Sequence, residues 1–132
     1  MNPPLVYCII LNRNGKELLA ETLLSVGAMK YPSVKIIVVD NGSDDGSQAM
    51  VRKEFPGAEL MENGRNLGFG PGNNVGMQRA LDAGAEWLIL LNNDIAVDPL
   101  MLDELMNVAL SDQAIGALSP KIYYFTEPET LW

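Results

Sequence analysis

The sequence predicts an α/β domain built on a doubly wound, mostly parallel sheet. Continuous apolar runs rich in β-branched residues alternate with stretches of helical periodicity. The runs lack the polar–apolar alternation of a strand with one wet face, so they suit strands buried on both faces. Each connection between runs is long enough to hold a crossover helix. With 132 residues and 48% hydrophobic content, the chain can bury one ordinary core.

Leu5 to Leu11, with Val6, Ile9 and Ile10, forms the first such run, and Asn12-Arg13-Asn14-Gly15 stops it. Leu19, Leu23 and Val26 then recur at helical spacing between Glu17 and Ala28. Pro32 breaks the chain ahead of a second buried strand, Lys35 to Val39, and Asp40-Asn41-Gly42-Ser43-Asp44-Asp45-Gly46 is a run of turn formers. A short helix is expected from Ser47 to Glu54, ended by Pro56-Gly57, with a brief third strand from Ala58 to Met61. Asn63 to Gly72 reads as a long glycine-rich loop, and Val75, Ala80 and Leu81 mark a helix from Asn73 to Ala83 behind it. Trp87 to Leu91 is the most apolar strand and ends at Asn92-Asn93-Asp94. Asp98-Pro99 sets a capping side chain ahead of a proline, opening a helix over 99–111 with Leu102, Leu105, Met106 and Ala109 on one face. Ala117 to Tyr124, interrupted at Pro120, is expected as a fifth strand. The order β-α-β-α-β-α-β-α-β describes a Rossmann-like sheet, whose ligands bind at the carboxyl ends of the strands.

Composition narrows the chemistry. The formal charge is -8, and residues 80–132 carry nine acids against Lys121 alone, which argues against nucleic acid as a partner. Cys8 is the single cysteine and histidine is absent, so no disulfide framework or usual zinc site exists and a metal must be held by oxygen ligands. That points to a hard cation. No run reaches the roughly 18 apolar residues of a membrane span. Met1-Asn2-Pro3-Pro4 lacks the basic flank of a signal peptide, and the lone thiol suits the cytoplasm.

Polar residues stand at every carboxyl end: Asn12 to Asn14, Asp40 to Asp45, Arg65 and Asn66, and Asn92 to Asp94. The same residue types serve as turn formers and caps, and Asp44 and Asp45 are expected to cap the helix that begins near Gly46-Ser47. Asp40 ends a strand of Ile and Val, from which its carboxylate can accept a hydrogen bond from a ring imide or ribose hydroxyl in a cleft. Asn41, Ser43, Asp45 and Gly46 match the start of a calcium loop, but Arg52 stands where its bidentate glutamate is needed. Gly68-Phe69-Gly70-Pro71-Gly72-Asn73 misses the last glycine of the dinucleotide fingerprint, and no phosphate-loop lysine follows, which counts against a dehydrogenase or phosphoryl-transfer domain. Its glycines suit a phosphate cradle or a tight crossing with positive backbone angles. Asp94, leaving an apolar strand beside two amides, fits a divalent cation that takes one or two carboxylates plus a substrate's phosphates.

Four stretches, Val6 to Gly15, Val38 to Ser47, Gly64 to Phe69 and Leu90 to Asp94, resemble the successive signatures of family 2 glycosyltransferases with the GT-A fold, most of all the rhamnosyltransferase-like branch. The resemblance implies that the chain is the amino-terminal, nucleotide-sugar-binding part of one GT-A catalytic domain, cut within or just after a strand. It implies a donor site for a UDP-, dTDP- or GDP-sugar drawn from Leu11, Asn12, Arg13, Asn14, Asp40, Arg65, Asn66, Gly68, Asn92 and Asn93. Within it Asp40 matches the aspartate that recognises the base, and Asp94 matches the ligand of a divalent cation, Mg2+ or Mn2+, in the DxD motif. Asn92 and Asn93 replace acids found in many members, which weakens the expected hold on the metal. Arg13 stands where relatives carry an aromatic residue that stacks on the base, a task open to a guanidinium plane.

The implied reaction is inverting transfer to an acceptor hydroxyl on a glycan or lipid-linked chain, with the general base beyond Trp132 and the present stretch inactive alone. Peripheral attachment at the inner face of the membrane suits such an enzyme, and unpaired sheet edges predict self-association. A nucleotide-sugar-binding module without transfer activity is the alternative.

Overall fold

The computed structural model describes residues 2–132. Four strands, β1 (Val6–Asn12), β2 (Val34–Asp40), β3 (Ala58–Glu62) and β4 (Trp87–Leu91), form one parallel sheet in the order β3-β2-β1-β4. Four helices, α1 (Lys16–Gly27), α2 (Ser47–Glu54), α3 (Phe69–Asp82) and α4 (Met101–Ala109), complete the fold. The register sets Asn12 beside Asp40 and Asp40 beside Glu62, so the first three strands finish level. Leu91 lies opposite Ile10, which delivers the residues after β4 to the end of β1.

The two faces of β1 explain its unbroken apolar run. Cys8 and Ile10 pack with Leu19, Leu23 and Val26 of α1 and Met50 and Val51 of α2. Tyr7 and Ile9 point the other way, into a layer closed by Ala80 of α3. Burial of this kind stabilises by about 1.5–3 kcal/mol per large aliphatic side chain. It also pushes the Cys8 thiol up to about 12, because a thiolate there would be desolvated. Leu102, Met106 and Ala109 of α4 cluster with Val6 and Tyr31.

The structure corrects the sequence reading of the fold at three places. The glycine-rich stretch is not a loop up to Gly72: α3 begins at Phe69 and absorbs it. Gly68, at φ +87, turns the chain in, and Pro71 falls in the first turn, where no intrahelical N–H is required. Gly76 has a contact role, since a Cβ there would stand 2.7 Å from Ile9 Cγ2 and 2.8 Å from Val39 Cγ2. Its bare backbone lets α3 lie close on the sheet.

The second correction is the expected fifth strand. Residues 117–124 join no sheet, and the only pairing in the tail is an antiparallel bridge between Tyr123 and Leu131. Pro120 has no N–H to give a ladder. The outer edge of β4 therefore borders an open groove of about 1300 Å³, walled by β4, α4 and the tail. The fourth helix is also shorter than expected, because Pro99 and Leu100 form a turn in which Asp98 Oδ1 accepts from Leu100 N at 2.8 Å. No helix is long and apolar enough to cross a membrane among the described residues.

Candidate functional site

The carboxyl edge of the sheet is polar beneath its surface. Asp40 is 1% exposed; its Oδ1 accepts from Asn12 Nδ2 at 3.3 Å, and its Oδ2 accepts from Ser43 N and Gln48 Nε2, both at 2.9 Å. These donors meet the requirement that a buried carboxylate be hydrogen-bonded. Asn12, also 1% exposed, continues the chain of contacts, because its Oδ1 accepts from Asn93 Nδ2 at 2.8 Å. Gly15 leaves room for that bond, since a Cβ there would lie 2.3 Å from Asn93 Nδ2. Asp40 and Asn12 thus form the floor of the edge, and neither is open to a ligand as the sequence reading expected.

Two loops are stitched together above this floor. Asn14, at φ +50, donates its N–H to Ser43 Oγ at 2.9 Å, while its side-chain oxygen accepts from Asp44 N at 2.9 Å. Asp45 joins two helix starts, accepting from Lys16 N and Ser47 N at 2.9 Å each and from the Ser47 hydroxyl. Partial desolvation would raise its pKa, but the hydrogen bonds from Ser47 and Lys16 together outweigh it and hold the carboxyl below its ordinary value. Of the two expected caps only Asp45 acts as one; the Asp44 side chain is exposed.

Asn41 organises the next loop, a role its turn-forming neighbours concealed in the sequence. From a buried position it donates to Asn66 Oδ1 at 2.9 Å and Gly68 O at 3.1 Å, and accepts from Leu67 N at 3.0 Å and Asn63 Nδ2 at 3.2 Å. Gly42, at φ +77, brings this turn against Arg65, whose Cα would be 2.7 Å from an added Cβ. Arg65, Asn66 and Gly68 are exposed on this side of the edge and do not line the cleft that follows.

That cleft, about 350 Å³, is lined by Leu11, Arg13, Asn92, Asn93 and Asp94 from the predicted set, with Phe69 from the start of α3. Asp94 is its one carboxylate and Arg13 its one fixed positive charge. The Asp94 turn is held on both sides. Asn93 is tied to Asn12 before it, and after it the Thr22 hydroxyl donates to Ile95 O at 2.9 Å and accepts from Ile95 N at 3.2 Å. Val97 N then bonds Ser25 Oγ at 3.2 Å. Thr22 was findable: it lies three residues after Leu19, a polar side chain on the buried stripe of α1. Among the described residues no three His, Cys, Asp or Glu come together to form a complete metal cage. A single open carboxylate in a cleft does fit a cation that takes its remaining ligands from a bound phosphate group and water.

Comparison with known proteins identifies the family and the fold. The sequence model described as Glycosyl transferase family 2 matches residues 7–132. The chain is 32% identical over 108 residues to N-acetylglucosaminyl-diphospho-decaprenol L-rhamnosyltransferase of Mycobacterium tuberculosis, which covers 76% of the chain and 35% of that protein. It is 28% identical over 127 residues to galactofuranosyltransferase GlfT1 of Mycolicibacterium smegmatis, covering 96% of the chain and 42% of that protein. The chain therefore spans well under half the length of these relatives.

Among solved structures, the mannosyltransferase PcManGT from Pyrobaculum calidifontis, in complex with GDP-Man and Mn2+, superposes with a TM-score of 0.74 at 24% identity, over 86% of this chain and 34% of that one. S. aureus TarS 1-349 in complex with UDP-GlcNAc gives 0.74 at 18% identity, over 89% of this chain and 37% of that one. At such identities the likeness concerns the fold, and it places this sheet among GT-A-like structures.

Proposed function

The chain belongs to glycosyl transferase family 2, and from that membership we propose that it supplies the donor-binding part of an enzyme moving a sugar from a nucleotide-diphosphosugar to an acceptor hydroxyl. The observation that carries the proposal is the cleft in which Arg13, Asn92, Asn93 and Asp94 meet at the carboxyl edge of β1 and β4. Ligands of doubly wound sheets bind at that edge.

In this proposal Arg13 and Leu11 hold the nucleoside, with the guanidinium plane stacking on the base. Arg65, Asn66 and Gly68, exposed outside the cleft, would extend the donor site on the α3 side. Asn92 and Asn93 accept hydrogen bonds from ribose hydroxyls. Asp94, with the donor's own phosphates, would hold Mg2+ or Mn2+, whose chemistry is to neutralise charge on the departing diphosphate. Holding the turn that carries Asp94 before the donor arrives reduces the reorganisation needed as charge develops. The acceptor hydroxyl needs a general base, and no carboxylate besides Asp94 lines this cleft. We assign donor binding to these residues and acceptor activation to residues outside them. An acceptor carried on a lipid, as the name of the mycobacterial rhamnosyltransferase describes for that protein, is the kind we favour, met by a peripheral enzyme at the membrane's inner face.

Calorimetric titration with UDP, dTDP, GDP and NAD, with and without Mn2+, tests the proposal. Binding of at least one nucleoside diphosphate that strengthens with Mn2+, and no binding of NAD, is expected. Preference for NAD, or indifference to every nucleoside diphosphate, overturns it.

A further inference from the structure

Deepening that reading, we propose that Asp40 is a positioning residue whose buried carboxylate sets the sense of two amides in series and so decides which atom of Asn93 meets the cleft. A carboxylate only accepts hydrogen bonds, so the end of Asn12 that faces it must be the NH2. The donation from Asn12 Nδ2 to Asp40 Oδ1 is that bond. The Asn12 oxygen is thereby turned the other way, where only a donor can meet it, and Asn93 Nδ2 does so at 2.8 Å. Asn93, with its NH2 end turned to Asn12, has its side-chain oxygen left over on a residue that lines the cleft beside Asp94. The result is a pair of adjacent acceptors, one charged and one neutral, suited to a cation or a hydroxyl donor. The steric gap at Gly15 belongs to the same device, because any side chain there would push the two amides apart.

The relay makes a prediction that a direct base contact does not. In Asp40→Asn the shape is kept, and the donors Ser43 N and Gln48 Nε2 hold the new amide oxygen where Asp40 Oδ2 now sits. Its NH2 then faces Asn12, which must turn its oxygen inward and its NH2 toward Asn93. Asn93 must turn in its place, bringing an NH2 into the cleft beside Asp94. Adding Asn12→Asp restores the original sense, since a carboxylate at position 12 accepts from both neighbours.

Side-chain amide NMR on the unliganded chain tests this directly. The Asn93 NH2 protons are expected to exchange slowly with water in the wild type, fast in Asp40→Asn, and slowly again in the Asn12→Asp/Asp40→Asn double variant. Titration with Mn2+ and UDP is expected to show Mn2+ affinity about 10–100-fold weaker in the single variant, as for other outer-shell partners of metal ligands, and recovered in the double variant. The ratio of UDP to GDP affinity is expected to stay constant throughout. Unchanged Asn93 exchange in a folded Asp40→Asn variant overturns the relay, as does an altered UDP-to-GDP ratio with intact Mn2+ dependence, which would return Asp40 to direct base contact. A wild type that binds no nucleoside diphosphate would defeat the donor-site proposal, while the exchange measurement would still decide the relay.

Discussion

Residues 5–83 and residues 85–132 share one sheet but differ in how far their apolar surfaces are covered. In the first stretch β1 and β2 are flanked by strands, with α1 and α2 on one face and α3 on the other, and Ile9, Ile10 and Ile37 are fully enclosed. In the second, β4 has a strand on one side only, Leu90 is 46% exposed, and the tail leaves Phe125 and Trp132 largely bare, the latter at 77%. The difference shows where a polar site can be built with precision. The network through Asn12, Asp40, Ser43 and Gln48 lies in the closed part, and Asp94 in the open part is held by reaching back to it through Asn93, Ile95 and Val97.

The contrast is most exposed to test through core truncation. Ile9→Ala should cost about 2–5 kcal/mol in urea denaturation, because it leaves a cavity between β1 and α3. Leu90→Ala should stay within about 0.5 kcal/mol, as for a surface position. Equal costs would mean that the bare face of β4 is covered in solution and would break the comparison.

A smaller effect is expected at the glycines of α3. Gly76→Ala forces a methyl against Ile9 and Val39, two β-branched side chains on a packed sheet, and should destabilise by about 1–3 kcal/mol. Gly70→Ala meets nothing within 4 Å and should be neutral or slightly stabilising by its helix propensity. The melting temperature should therefore fall in Gly76→Ala and hold or rise in Gly70→Ala.

The smallest effect should come from Asp45, which stitches the loops of the closed part. Asp45→Ala should cost roughly 0.5–2 kcal/mol at neutral pH, the ordinary range for a lost helix cap. Its folded pKa is depressed, so the contribution is complete above the ordinary carboxyl value of about 4 and fades as pH falls through the lower folded value. The wild type and Asp45→Ala should converge in stability in acid. A gap that persists there would assign Asp45 another role.

The sequence was most informative where one local signal dominated. β-Branched runs marked β1 and β2 because strands buried on both faces must be apolar throughout, and Asp98 before Pro99 marked the approach to α4. Phe69–Gly72 misled, because Gly72 and Gly76 are present for contact with side chains distant in sequence, which no local pattern reveals. The same holds for the site. Asn92, Asn93 and Asp94 were visible as polar residues ending an apolar strand, and they do line the cleft. The burial of Asp40 and Asn12, and the work of Asn41, Gln48 and Thr22, depend on which loops meet across the sheet edge.

In the proposed enzyme the open carboxylate at the end of β4 holds the cation through which a nucleotide-sugar donor binds. The most direct test of that role is the Mn2+-dependent part of nucleoside diphosphate affinity in Asp94→Ala, measured beside the wild type with folding checked by circular dichroism. Loss of the Mn2+-dependent increment, with the metal-independent part retained, is the predicted result. A folded Asp94→Ala variant whose affinity responds to Mn2+ as the wild type does would contradict it.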